Sequence, residues 1–365
     1  MTRLLVTVLA ISLTACSSAP KPSAAAEEAP RGRYRAEAGE MTVGIIAAAS
    51  IRDDARNRDI ALAIDYPTRA TAASPVIVFS HAIGASELDY ATYASHWASN
   101  GYVVVRVGHA DAVRGFARNG ENSIAPTTAA EWVKRAHDRV RDLDLVVDAL
   151  PTIEQRYPEL AGKVDATRVG VAGHAFGSLA ALLAGGVRTE PDGPSHDRAR
   201  IKAVLAMSPP GPGERRGLSS KSFAGLTLPS LFLTGTKDIG GDETETPQWR
   251  IQGFEATAPG DKWLVVLNGA GRNTFSGLVI DEHARQRPIN DPWAPGVSSP
   301  RDPDSATRRL PGQSGQGYSA APRSVVGHAR IVTLAFWDAY LRDDAAGREL
   351  LQGLTSRGWA EVRQR

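Results

Sequence analysis

Sulfur is scarce in this chain. One cysteine, Cys16, and three methionines are spread over 365 residues. A lone cysteine cannot close an internal disulfide, so burial and hydrogen bonding must hold the fold. Thiolate zinc sites are excluded with it. The eight histidines are scattered without a metal-ligand spacing, so neither a metal nor another cofactor is expected. An excess of one charge is also lacking. The formal net charge is +2, which leaves no basic footprint for nucleic acid. Long apolar runs are absent near the start, where Leu4 to Leu13 follows Arg3. That run is too short to span a bilayer and reads as a signal peptide over residues 1–15. What remains is ordinary globular composition, 42% hydrophobic and 22% charged, long enough for one large domain or two small ones.

The apolar run ends in Leu13-Thr14-Ala15-Cys16. This resembles the lipobox of bacterial lipoproteins, which implies cleavage before Cys16 and acyl chains on its sulfur. Several acyl chains together anchor a protein firmly. Ser17 follows the cysteine where aspartate would signal retention, and the resemblance then implies the outer membrane, facing the periplasm. Residues 16–40 are rich in Ala, Pro, Ser and Glu without an apolar period, as in a flexible tether. The remainder, 41–365, is expected to form one domain.

Within it, apolar runs alternate with helical patterns. Arg52 to Asp59 reads as a hairpin turn leading to a strand at Ile60–Ile64 that ends by Pro67. Pro75–Phe79 and Tyr102–Val107 read as strands buried on both faces. Between them, Tyr90, Tyr93, Ala94, Trp97 and Ala98 share a helical face, with Ser86 and Asp89 as a capping box and Asn100-Gly101 as the stop. A longer helix carries Ala136, Val140, Leu143, Val147 and Leu150 on one side. Further strands are expected at Ala203–Ala206, Leu231–Thr234 and Leu264–Leu267, and a last helix near Val325–Leu341. Such alternation predicts an α/β fold with a mostly parallel central sheet covered by helices on both faces. Residues 282–323, rich in Pro, Arg, Asp and Gly, read as a surface excursion.

One stretch raises the chemical question. "GHAFG" (Gly173 to Gly177) follows the apolar run Val169–Ala172 and precedes Leu179, Ala180, Leu183 and Ala184. A strand, a glycine-framed turn and a helix make the nucleophile elbow, G-x-S-x-G, but Ala175 stands where the serine belongs. Five other segments occur in matching order: "RDDARNRDIALAIDYP" from Arg52, "VIVFSHAIGAS" from Val76, "LTGTKD" from Leu233, "NGAGRNTFSG" from Asn268 and "TLAFWDAYLRDD" from Thr333. Together they resemble the α/β-hydrolase branch of platelet-activating-factor acetylhydrolases, dienelactone-hydrolase-like proteins and polyester-cleaving cutinases.

Carried over position by position, the resemblance puts Ala175 at the nucleophile, Asp238 at the acid and Arg272 at the base. It puts the oxyanion amides on Ile83 and Phe176, with Ala82 in place of the usual loop glycine. An active triad needs a serine, a histidine to take its proton and a carboxylate to orient that histidine. Arginine, with a pKa above about 12, cannot be the base. Backbone amides survive such substitutions, so an anion site can outlive the chemistry. Two arrangements are open to Arg272: pairing with Asp238 in the space the histidine left, or aiming a donor into the cleft. Ser178 should point into helix packing, His174 and His81 should serve loop structure, and His328 should lie elsewhere. His109 and Asp111 could line the cleft. The implied function is a membrane-tethered, catalytically silent hydrolase relative that binds a partner or a small anionic or ester-like ligand. The alternative is a carboxylic-ester hydrolase with an unusual site.

Overall fold

A computed structural model describes residues 33–112, 126–189, 199–240, 244–277 and 323–365. Cys16, the signal peptide, most of the tether and nearly all of the 282–323 excursion lie outside the described residues. Nine strands form one sheet: β1 (Val43–Asp53), β2 (Arg58–Pro67), β3 (Ser74–Ser80), β4 (Val103–Gly108), β5 (Val164–His174), β6 (Ile201–Met207), β7 (Ser230–Lys237), β8 (Lys262–Gly271) and β9 (Ala360–Gln364). Their spatial order is β1-β2-β4-β3-β5-β6-β7-β8-β9. From β4 to β8 every neighbouring pair is parallel, while β1, β2 and β9 join antiparallel. This is the α/β fold expected from the alternating pattern.

The parallel strands are buried on both faces, and successive side chains feed two cores. Val76 and Val78 of β3 join one core, with Val140, Leu143 and Leu179. Ile77 and Phe79 join the other, with Trp97, Phe336 and Trp337. The first core is covered by α2 (Ala129–Asp148) and α4 (Phe176–Gly185). The second is covered by α1 (Ala91–Ser99) and α6 (Arg323–Leu341). The helices α3 (Leu150–Arg156), α5 (Pro247–Glu255) and α7 (Ala345–Gly353) complete the set among the described residues.

Two local expectations need correction, and two strands were not expected. Ser86 and Asp89 do bond, but in one direction: the carboxylate accepts from the Ser86 amide at 2.7 Å and hydroxyl at 3.0 Å. They close a turn rather than cap a helix, because Tyr90 follows at φ 67 and α1 starts only at Ala91. The true capping box is Thr128 with Glu131, at the head of α2. The long helix also breaks before Leu150, where Pro151 opens α3, since proline suits a first turn and not an interior. Finally, β1 and β9 lie at the two edges of the sheet, where alternation is diluted by small and polar residues. "VGIIAAASIRD" and "AEVRQ" carry weak strand signals, and pairing with β2 and β8 decides them.

The chain enters the domain along α6 and α1. Tyr34 is buried, Arg33 pairs with Asp338 and Asp344, and the His96 Nε2 donates to the Arg35 carbonyl at 2.9 Å. Burial drives the His96 pKa down to about 4, although its backbone hydrogen bonds oppose this. An unfolded histidine takes its proton near pH 6.5. As pH falls below that value the unfolded chain is protonated first, so stability is lost between about pH 6.5 and 4. A shift of this size corresponds to about 3 kcal/mol. Urea titrations across that range should therefore show falling stability, and His96→Gln should make the decline shallower by up to one proton's worth.

Candidate functional site

The sharpest feature of the fold is the turn from β5 into α4. Ala175 sits between them at φ 54, ψ −113, a strained conformation for a residue with a Cβ. Its neighbours must be glycine. A Cβ on Gly173 would lie 2.1 Å from the Gly177 carbonyl oxygen, and one on Gly177 would lie 2.1 Å from the Ser80 carbonyl oxygen. The backbone geometry of a nucleophile elbow is therefore complete, and it presents a methyl group. Ser178 is fully buried and donates to the Ala175 carbonyl, as expected for helix packing.

A shallow, solvent-open recess lies over Ala175, with Phe176, Ser208, Glu245, Arg250 and Arg272 in its wall. The sequence placed Ala175, Phe176 and Arg272 together, and the tertiary structure does so too. Ile83 is half-buried against the core and is not among the residues lining the recess. Phe176 opens α4, so its N–H has no helical acceptor and faces the positive end of the helix dipole.

Arg272 does not pair with Asp238. Its Nη1 lies 3.1 Å from Glu245 Oε2. Asp238 is fully buried and already engaged. Ser208 and Thr234 donate hydroxyl hydrogens to its Oδ2 at 2.6 and 2.8 Å. Arg250 Nε stands 3.1 Å from its Oδ1. That N–H is aimed at the Asp238 carbonyl, so Oδ1 is held by charge and lacks an aligned hydrogen bond. The positive charge expected from Arg272 thus comes from Arg250, on α5, and Arg272 remains at the rim with about a third of its side chain exposed.

Glu245 gathers three guanidiniums. Arg216 pairs with its Oε1, Arg272 with its Oε2, and Arg250 approaches the same Oε2 at 3.5 Å. Burial alone would push its carboxyl up, but the three arginines outweigh this and hold it down at about 2. Arg216 is also stacked on Trp132, 3.8 Å from the ring centroid, and its Nη1 is buried with no hydrogen-bond partner. Nothing in the spacing of the sequence announced Glu245, Arg250, Arg216 or Ser208. They come from two connections, Ser208 and Arg216 between β6 and β7 and Glu245 and Arg250 between β7 and β8, which the sheet brings to one edge.

His174 faces away from any base role. Its Nδ1 shares a 2.8 Å hydrogen bond with the Tyr90 hydroxyl, which also accepts from the Ala82 amide at 3.1 Å. Burial, then Arg272 and Arg250, lower its pKa well below the usual value, so the ring is neutral. Tyr90 adopts its left-handed conformation in the position that ties the elbow to the Ala82 loop. His328 stacks on Trp359 at 4.1 Å, a packing role apart from the recess.

A second constellation was missed. Ser80 Oγ lies 2.8 Å from His109 Nε2, and His109 Nδ1 lies 2.8 Å from Asp142 Oδ2. These three are in the order of a catalytic triad, but Ser80 and Asp142 are at most 1% exposed and His109 4%. Arg56 and Arg58 neutralise Asp142 from outside. Arg139 pairs with Asp111 at 2.9 Å and donates to the His81 carbonyl. Asp111 is held at about 2, burial being outweighed by Arg139, His109 and His81. His109 and Asp111 thus brace the loop from behind and do not line the recess. The resulting cluster fixes Ser80 and His81, the residues against which Gly177 packs.

A model of the family described as platelet-activating factor acetylhydrolase, isoform II, matches residues 57–142. The match runs from β2 into α2 and contains Ser80, Tyr90, His109 and Asp142, but not the elbow, Asp238 or Arg272. With the sheet order, it bears out the resemblance to the platelet-activating-factor acetylhydrolase branch and the α/β-hydrolase fold.

The elbow yields a paired expectation. Gly177→Ala should cost about 3 kcal/mol by forcing backbone apart. Ala175→Gly should instead stabilise by about 1 kcal/mol, because glycine relieves the positive-φ strain. Denaturant melts of the two variants check both signs.

Proposed function

We propose that this protein is a lipid-anchored α/β-hydrolase relative that binds a ligand over its elbow without hydrolysing it. One observation carries the reading: the chain of proton transfer is broken at each step. Ala175 offers no nucleophile. Arg272 cannot accept a proton and is ion-paired with Glu245. Asp238, which would orient a histidine, is sealed by Ser208, Thr234 and Arg250. In a working triad, loss of the nucleophile alone lowers turnover about 10⁶-fold. The recess itself persists, with an unpaired helix N-terminus and several guanidiniums around it.

A second reading, a carboxylic-ester hydrolase working from other residues, is favoured by the Ser80–His109–Asp142 order. Burial weighs against it, since Ser80 is 0% exposed and no substrate carbonyl reaches it. A fluorophosphonate probe separates the two. No covalent labelling and no turnover of short-chain chromogenic esters are expected. Labelling that disappears in Ser80→Ala would place chemistry there and overturn the proposal.

Membrane attachment is argued from Cys16 and the tether. Among the described residues no helix is long and apolar enough to cross a bilayer, so attachment through those residues would need another device. Cys16→Ser should abolish palmitate incorporation and move the protein out of the membrane fraction. Unchanged lipid labelling in that variant would refute the anchor.

A further inference from the structure

We propose that the recess over Ala175 is a site for a small monocarboxylate with a short apolar or aryl tail. The carboxylate would lie between the Phe176 amide and the guanidinium of Arg272. This rests on the non-hydrolytic reading above and specifies its ligand.

Charge is the first argument. The ionised groups in and directly behind the wall are Arg216, Arg250 and Arg272 against Glu245 and Asp238. Glu245 stays ionised because its pKa is held at about 2. His174, just below, is neutral. Among the described residues the set carries one uncompensated positive charge. A monoanion balances it, whereas a phosphate dianion would leave an excess of negative charge in a partly dry site.

The donors within reach are the second. Arg216 cannot swing into water, since Trp132 covers its face and Glu245 holds one edge. Its Nη1 is nonetheless buried without an acceptor. That enclosed donor has no surface for a ligand to touch, so Arg216 acts on an anion through its charge alone, and direct contact falls to Arg272 at the rim. Arg272 is held by Glu245 through Nη1, and its partial exposure leaves it reachable from the opening. Phe176 adds the free amide of a ten-residue helix.

The walls supply the third argument. Leu179, Pro210 and Trp249 line the same recess with the Phe176 ring and the Ala175 methyl. Apolar walls beside a cationic end fit an acid whose tail is compact enough to lie along this open recess. A methyl at position 175 removes the hydroxyl that would otherwise face the carboxylate.

The test is calorimetric titration of the full-length protein with butyrate and benzoate, beside their methyl esters and inorganic phosphate. The acids should bind at least about tenfold more tightly than the esters, as charge-assisted hydrogen bonds require. Arg272→Gln should weaken the acids by roughly 10- to 100-fold and leave ester binding unchanged. Arg272→Lys should recover part of the loss, and circular dichroism confirms that each variant is folded. Equal affinity for acid and ester in the wild type would overturn the proposal without using any variant. So would acid binding indifferent to Arg272, phosphate binding as tight as butyrate, or no binding of the acids at all. Release of acid from the esters would overturn the non-hydrolytic reading instead, and the acid titrations would still decide the carboxylate site.

Discussion

The close approach of the Gly177 backbone to the Ser80 carbonyl governs this molecule. It lets α4 start directly above the C-terminal end of β3, and it leaves no room for a side chain at either elbow glycine. Ala175 is then forced to φ 54 at the top of the sheet. The strain is tolerated because both sides are braced. From one side, Tyr90 links His174 to the Ala82 amide. From the other, Arg139 and the Ser80–His109–Asp142 chain hold Ser80 and His81 in place. The strained turn thus presents a methyl group at its apex. Such strain is expected to persist where surrounding structure over-determines it.

The charges at this edge compensate one another. A buried aspartate without a histidine would be an uncompensated charge, costing several kcal/mol. Two hydroxyls and the guanidinium of Arg250 compensate Asp238. Arg250 also donates to the Ser208 and Pro209 carbonyls, so it locks the segment after β6 to α5. With Asp238 occupied, Arg272 turns to Glu245, and Glu245 in turn orders Arg216. The recess is lined by this linked set of charges. Three guanidiniums and one carboxylate therefore share its wall, and Arg272 is the one that stays partly exposed.

The Ser80–His109–Asp142 cluster illustrates why a residue order is not a function. Its distances suit proton transfer, yet burial removes any substrate and Arg139 lowers the tendency of His109 to take a proton, after burial itself. Its place between the β1–β2 turn, through Arg56 and Arg58, and the loop after β3 is that of a brace. The family match covers this part of the chain, residues 57–142, and so speaks for the scaffold and not for the recess.

Much of the scaffold was legible in the sequence. Buried parallel strands need long apolar runs, and Pro75–Phe79 and the runs that follow it have them. The elbow was legible because its glycines are demanded by local backbone approach, and the absent serine could be read from a single letter. Edge strands β1 and β9 were not legible, since small and polar residues dilute the alternation that marks a half-buried strand. The start of α1 was misplaced because Tyr90 leaves the helical region to satisfy partners on other elements. The partner of Arg272 was decided by tertiary structure alone. Asp238 and Glu245 are both carboxylates within reach of the same sheet edge. Only the three-dimensional arrangement puts Ser208, Thr234 and Arg250 on the first and leaves the second to Arg272, because long side chains choose partners by space and charge, not by distance along the chain.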